Sequence, residues 1–203
     1  MLSPLTKRLI DALQSLPGIG PKTAQRLAFQ LLAANSREKG LALAESLQQA
    51  MQHVHACQRC RLYTEETVCA LCRNPQRDQA LLCVVENPAD VLVIEQTASY
   101  RGLYYVLQGH LSPLDGLGPQ EIGIPPLLAR LQQESISELI LATNPTMEGK
   151  ATAHYIASHI DSARITCTRI AHGVPFGGEL EYLDGHTLSH AFRSRKLLDE
   201  IER

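Results

Sequence analysis

At the front of the chain, apolar residues recur every three to four positions. Leu5, Leu9, Ile10, Leu13 and Leu16 mark one face of a first helix, and Pro17 stops it. The run Pro17-Gly18-Ile19-Gly20-Pro21-Lys22 then reads as a tight turn into a second helix. Pro21 suits the first helical turn, where its missing N–H leaves no bond unmade. Leu43, Leu47, Ala50, Met51 and Val54 predict a third helix over about 41–55.

Beyond a cysteine cluster at 57–72 and a polar linker at 73–79 the texture changes. Leu81-Leu82-Cys83-Val84-Val85 is a continuous apolar run, as expected of a strand buried on both faces. Further strands are predicted at 104–107, 138–143 and 164–170, with helices at about 88–97, around 127–131, at 151–160 and at about 187–202. Val91-Leu92-Val93-Ile94 on its own would read as a strand, but Pro88-Ala89-Asp90 gives it a helix start. Strands alternating with helices predict βαβ units and a parallel sheet covered on both sides.

Composition narrows the class. A chain of 203 residues, 44% hydrophobic and 20% charged, fits one to three small soluble domains. Three Phe, six Tyr and no Trp leave few rings on which single-stranded bases could stack. Lys7, Arg8 and Asp11 interrupt the opening stretch where a secretory leader would need an apolar run. No stretch approaches the roughly 18 apolar residues that span a bilayer. The chain is therefore expected to be cytoplasmic, without membrane contact, and its six cysteines reduced.

The net charge of −2 is unevenly spread. Residues 1–61 hold eight basic and three acidic residues, a balance of +5 that leaves −7 for the rest. A basic front predicts a polyanionic partner and an acidic back predicts a basic one, against the alternative of chance segregation.

Cys57-Gln-Arg-Cys60 and Cys69-Ala-Leu-Cys72 are two C-x-x-C pairs. Two such turns can close a tetrahedron of thiolates around Zn²⁺, with no position left for water or substrate. The spacing predicts one structural Zn²⁺ ion per chain, a redox dithiol pair or an iron–sulfur cluster being the alternatives. Cys83 and Cys167 lie in apolar strands and are expected to be buried core thiols.

Leu16-Pro17-Gly18-Ile19-Gly20, with Lys22 and Arg26 one helical turn apart, is the helix-hairpin-helix pattern. Gly18 and Gly20 allow the backbone to approach a phosphate, which the N–H groups at the next helix start can bind. Lys22 and Arg26 add counter-charge from one face, so binding should ignore base sequence and fall with salt. A plain helical turn capped by glycines is the alternative.

Glu86 ends the first buried strand, at the strand end where open α/β sheets bind ligands. Asn144, Thr146 and Glu148 follow a later strand. This resembles the Toprim domain of topoisomerases, primases and related nucleases, in which a Glu and an Asp-x-Asp pair gather Mg²⁺. Asn144 and Thr146 stand where the two aspartates would be, so the resemblance implies a Toprim scaffold that holds Mg²⁺ poorly and does not catalyse. In the other reading, Glu86 and Glu148 cap helices or pair locally. Two breaker-rich loops, Gly109 to Pro119 and His172 to Glu179, are either structural crossovers or cradles for a phosphate or partner. The eight histidines show no ligand spacing.

In this order the pieces resemble the RecR family of bacterial recombination mediators across essentially the whole chain. The resemblance implies a multi-part fold: an all-α helix-hairpin-helix module (1–55), a C4 zinc finger (56–73), an α/β Toprim domain with a Rossmann-like parallel sheet (80–175) and a C-terminal segment with a helix (176–203). It implies sequence-independent DNA binding through Lys22 and Arg26. It further implies dimers or ring-like tetramers, and docking of RecO or RecF at Glu86, Asp90 and Glu148 to load RecA onto gapped DNA. Lys150 stands where many relatives carry a glutamate, which alters the expected docking patch. The rival readings are a metal-dependent Toprim nuclease and a protein adaptor whose hairpin is only structural.

Overall fold

The computed structural model describes residues 2–171, 173–174, 177, 179–193 and 195. The chain divides into two compact units, Met1–Val54 and His55–Arg203.

The first unit is three helices, α1 (Pro4–Gln14), α2 (Pro21–Leu32) and α3 (Arg37–His53). Ser3 caps α1 by accepting the Thr6 N–H through its side chain. Between α1 and α2 the Ile19 N–H bonds the Leu16 carbonyl at 3.1 Å, and Gly18 takes φ +79°, a conformation that favours glycine. The third helix starts four residues earlier than its apolar pattern predicts, because a 3-10 turn at Ala34–Ser36 feeds straight into it. Only Ala24 and Ala28 are buried within these helices. Leu5, Leu43, Leu47 and Met51 stay exposed, so most of the apolar pattern that predicted the helices faces outward in the single chain.

The second unit opens with a two-stranded hairpin, β1 (His55–Ala56) and β2 (Tyr63–Thr64), followed by the single turn α4 (Ala70–Arg73). Then come β3 (Asp78–Val85), α5 (Pro88–Gln96), β4 (Gly102–Val106), α6 (Ile124–Gln133), β5 (Glu138–Ala142), α7 (Met147–Ser158), β6 (Thr166–Arg169) and α8 (Gly185–Arg193). The sheet order is β4-β3-β5-β6, and every pairing is parallel. This is the expected α/β sheet, with β3 and β5 at its centre.

Strand alternation sorts the core into two layers. Leu82 and Val84 of β3 face a cluster with Leu127 and Leu131 of α6, Leu139 and Leu141 of β5, and Ala153 and Ile156 of α7. Cys83 and Val85 face the other side with Val91 of α5 and Tyr104 and Val106 of β4. The ambiguous Val91–Ile94 run is helical. Pro88 occupies the first turn, and the Asn87 N–H bonds Asp90 Oδ2 at 2.8 Å, which closes the start of α5.

Of the two cysteines expected in the core, one is found there and one is not. Cys83 is buried, and burial pushes its thiol up to about 12. Cys167 is exposed, because it sits on the edge strand β6 where the apolar texture of the sequence does not guarantee cover. The last helix is described over Gly185–Arg193. Apart from Arg195, the rest of the predicted 187–202 segment, and His172, Pro175, Phe176 and Gly178 of the second breaker-rich loop, lie outside the described residues. No described helix is long and apolar enough to cross a membrane.

Candidate metal centre and sheet-end site

The two C-x-x-C pairs converge. Cys57 and Cys60 flank the β1–β2 turn, Cys69 and Cys72 bracket the start of α4, and all four are buried. Their sulfurs lie within 4.8 Å of one another. A tetrahedral cation with bonds of ~2.3 Å needs sulfurs about 3.8 Å apart, so the donor set fits a divalent metal.

The electrostatics fit as well. Burial opposes ionisation of Cys57, yet the N–H groups of Cys69, Cys60 and Arg59 outweigh it and bring its thiol down to about 7. Cys60 moves the other way through its contact with Cys72 and through burial, and burial raises Cys69 to about 11. Four adjacent thiols can all ionise only if a cation balances them.

The cluster is tied to the sheet by guanidinium groups. Arg59 Nε donates to Glu134 Oε1 at 2.8 Å, and its Nη1 donates to the Cys72 carbonyl at 3.0 Å. Arg130 Nε donates to the same Glu134, and its Nη1 reaches the carbonyls of Arg59 and Tyr104, both at 2.9 Å. Arg61 Nη1 holds the Leu107 carbonyl at 3.0 Å and the Ile122 carbonyl at 2.5 Å. The Val106 N–H, at the end of β4, bonds the Cys60 carbonyl at 2.9 Å. Burial works against ionisation of Glu134, but Arg59 and Arg130 together hold its carboxyl below the usual range. Arg59 and Arg61 therefore do not belong to a basic front. Without them the first unit carries +3 rather than the +5 counted over residues 1–61.

Lys22 and Arg26 are both exposed on α2. The first N–H groups of α2 have no partner within the helix, and no side chain caps them at Gly20. A Cβ placed on Gly18 or Gly20 would meet nothing within 4 Å, so this turn is open to an approaching ligand.

The sheet end carries the second candidate set. Glu86 follows β3 and is 2% exposed. Its Oε1 accepts the Asn144 backbone N–H at 2.8 Å, and its Oε2 accepts Asn144 Nδ2 at 2.7 Å. His110 Nδ1 stands 3.4 Å from Oε2. Asp90 is half-buried and engaged in the start of α5. Glu148 is exposed in the first turn of α7. Among the described residues, the cysteines form the only close group of three or more potential metal ligands, so these acids are not gathered into one.

Sequence pattern did not single out His110 or the ties made by Arg59, Arg61, Arg130 and Glu134. The breaker-rich loop after β4 was the one signal for His110. That loop docks on α7 through the Leu111 N–H, which bonds Thr152 Oγ1 at 2.9 Å. Nothing local could have flagged an Arg59–Glu134 pair 75 residues apart.

A Toprim domain model matches residues 80–171, a model described as RecR, helix-hairpin-helix matches 6–51, and one described as RecR, C-terminal matches 173–196. The chain is 67% identical over 195 residues to "Recombination protein RecR" of Coxiella burnetii (strain RSA 493 / Nine Mile phase I), covering 96% of this chain and 97% of that one. It is 58% identical over 194 residues to the protein of the same name from Stutzerimonas stutzeri (strain A1501), covering 96% of both.

Gly149 offers a test of the sheet end. A Cβ there would fall on the Asn144 carbonyl and come within 2.8 Å of Glu86 Oε1. Gly149→Ala should cost about 1–3 kcal/mol through overpacking. Thermal unfolding reads this directly, and an unchanged midpoint would show that the packing around Glu86 is looser than described.

Proposed function

The chain belongs to the RecR family of recombination proteins, and on that footing we propose that it is a non-catalytic, DNA-binding scaffold of recombinational repair. Residues 1–55 bind DNA, 56–73 form a structural zinc finger, 80–175 present a partner-docking sheet edge, and 176–203 are a C-terminal segment. The protein works in the bacterial cytoplasm at the nucleoid. It assembles as a clamp-like homodimer or homotetramer, and with RecO and RecF helps load RecA onto gapped or single-stranded DNA.

The carrying observation is the hairpin turn at Gly18–Gly20. An uncapped helix start with Lys22 and Arg26 beside it offers backbone N–H groups and counter-charge to a phosphate, with no group placed to read a base. Oligomerisation is supported by the apolar residues left outside the first unit, Leu5 at 74% and Met51 at 73% exposed among them. Partner docking at Asp90 and Glu148 is supported by the acidic balance of the second unit and by their accessible position. The absence of catalysis is supported by Asn144, which occupies both oxygens of Glu86.

Zinc is the metal that suits four buried thiolates in a closed, redox-silent site. It supplies cross-linking energy to a segment of sixteen residues with little core of its own. Purified protein should contain close to one zinc per chain by elemental analysis. Cys57→Ala should lose both the metal and the cooperative unfolding transition. Metal-free protein that unfolds like the untreated sample would contradict a structural role.

For DNA, anisotropy with labelled duplex and single-stranded DNA across a salt series is the test. Lys22→Ala combined with Arg26→Ala should weaken binding at every sequence tried and flatten the log–log salt slope by about 2. An unchanged affinity and slope would leave the hairpin a structural turn and favour the adaptor reading.

A further inference from the structure

The loop over residues 109–121, between β4 and α6, is rich in chain breakers yet closely held. Ser112 and Leu117 exchange both backbone hydrogen bonds, at 3.0 and 2.9 Å, and the Asp115 and Gly116 N–H groups donate to the Ser112 and Pro113 carbonyls. Gly116 closes the turn at φ +71°, and the buried Ser112 donates its hydroxyl to Asp115 Oδ2 at 2.6 Å. The Gly118 N–H donates to Glu121 Oε2 at 3.0 Å. On this frame Leu114 is 99% exposed. Beside it runs a groove of about 440 Å³ with apolar walls from Leu111, Pro113, Leu117, Pro119 and Tyr155, and Glu121 is the charged residue of its lining. A leucine held in water by a fixed turn contributes nothing to the single chain, whereas a partner that covers it gains the burial and orders little of the loop.

The backbone argues against a phosphate as the occupant. The N–H groups of Ser112, Asp115, Gly116, Leu117 and Gly118 all donate within the loop, so they form no nest for an anion. Residues 109–121 hold two acids, Asp115 and Glu121, and no lysine or arginine. Both acids are exposed, and among the described residues neither joins an ion pair. Their partners within the loop are a hydroxyl and an N–H, which leave the negative charge uncancelled. A second copy of the loop would set these charges against their like.

We propose that the loop seats a short basic, apolar segment of another protein. An aliphatic side chain of the segment fills the groove, Leu114 packs against its apolar flank, and a lysine or arginine meets Glu121. Asp90 and Glu148 take no part in it.

Full-length, metal-loaded protein is titrated by anisotropy, at physiological salt, into a short fluorescein-labelled peptide of alternating leucine and lysine. One control peptide carries serine for leucine, the other glutamine for lysine. Leu114→Ser alters a side chain that lies in water, and Glu121→Gln keeps an oxygen for the Gly118 N–H while removing the charge. The leucine–lysine peptide should bind, and each control peptide and each of these variants should bind about tenfold more weakly. Glu148→Gln tests for unspecific attraction to acids. Glu148 lies two turns before Tyr155 on α7, about 10 Å along the axis and beyond the screening length of about 8 Å. Its replacement should leave peptide binding unchanged, so failure of docking at Asp90 and Glu148 and failure of this site are told apart. Equal binding of the three peptides, indifference to Leu114→Ser or Glu121→Gln, or an equal loss on Glu148→Gln would each overturn the proposal. A changed mass of the protein alone on Leu114→Ser, read by sedimentation, would also overturn it, by assigning the loop to a second copy.

Discussion

An ionised carboxylate taken out of water must be paired, or the fold that buries it pays several kcal/mol. Glu86 meets this condition at the point where β3, β5 and the loop after β4 converge, and its pairing decides what the sheet end can do. Asn144 supplies two donors, His110 lies beside the same carboxylate, and the Gly109 N–H bonds the Glu86 carbonyl at 2.9 Å. In a Toprim domain of the metal-binding kind, this carboxylate faces a cation held by aspartates. Here the Asn144 backbone and side-chain N–H groups bond it. The same bonds explain Gly149: with Asn144 folded back onto Glu86, the start of α7 leaves no room for a side chain. Glu86 ties the end of β3 to Asn144, after β5, and Glu148, outside this tie, is left on the surface.

A second tie joins the metal cluster to this sheet. A sixteen-residue segment cannot hold itself together by hydrophobic burial, and four buried thiols invite a cation that would do so. The cluster would still wander without Arg59, Arg61 and Arg130, whose guanidiniums reach from the knuckle to α6 and to the carbonyls that follow β4. Glu134 sits between two of them, which makes the array a network rather than a set of separate surface pairs. The helical unit differs in kind. Two buried alanines are a thin core for three helices, and Leu5, Leu43, Leu47 and Met51 lie exposed outside it.

Local order was legible where the physics is local. The helix-hairpin-helix, the two C-x-x-C turns and the buried β3 run each write their pattern into a few adjacent residues. Asn87 and Asp90 resolved the helix-or-strand ambiguity of Val91–Ile94 through a bond three residues long. Contacts between distant residues were not legible. Arg59 and Arg61 look like two more positive charges until Glu134 and the carbonyls of Leu107 and Ile122 are brought to them. Cys167 looks like core until the strand order places it at an edge. Glu86 was readable as a strand-end acid, but its depth depends on Asn144, 58 residues away.

The central claim is that the sheet end at Glu86 is structural and that the protein binds DNA without cutting it. The most direct measurement incubates supercoiled plasmid and gapped DNA with the purified protein in Mg²⁺ or Mn²⁺, then compares native and denaturing gels. Bound DNA with every strand intact is the predicted result. Metal-dependent nicking that persists through further purification and disappears in Glu86→Gln would contradict it, and would make Glu86 a working metal ligand.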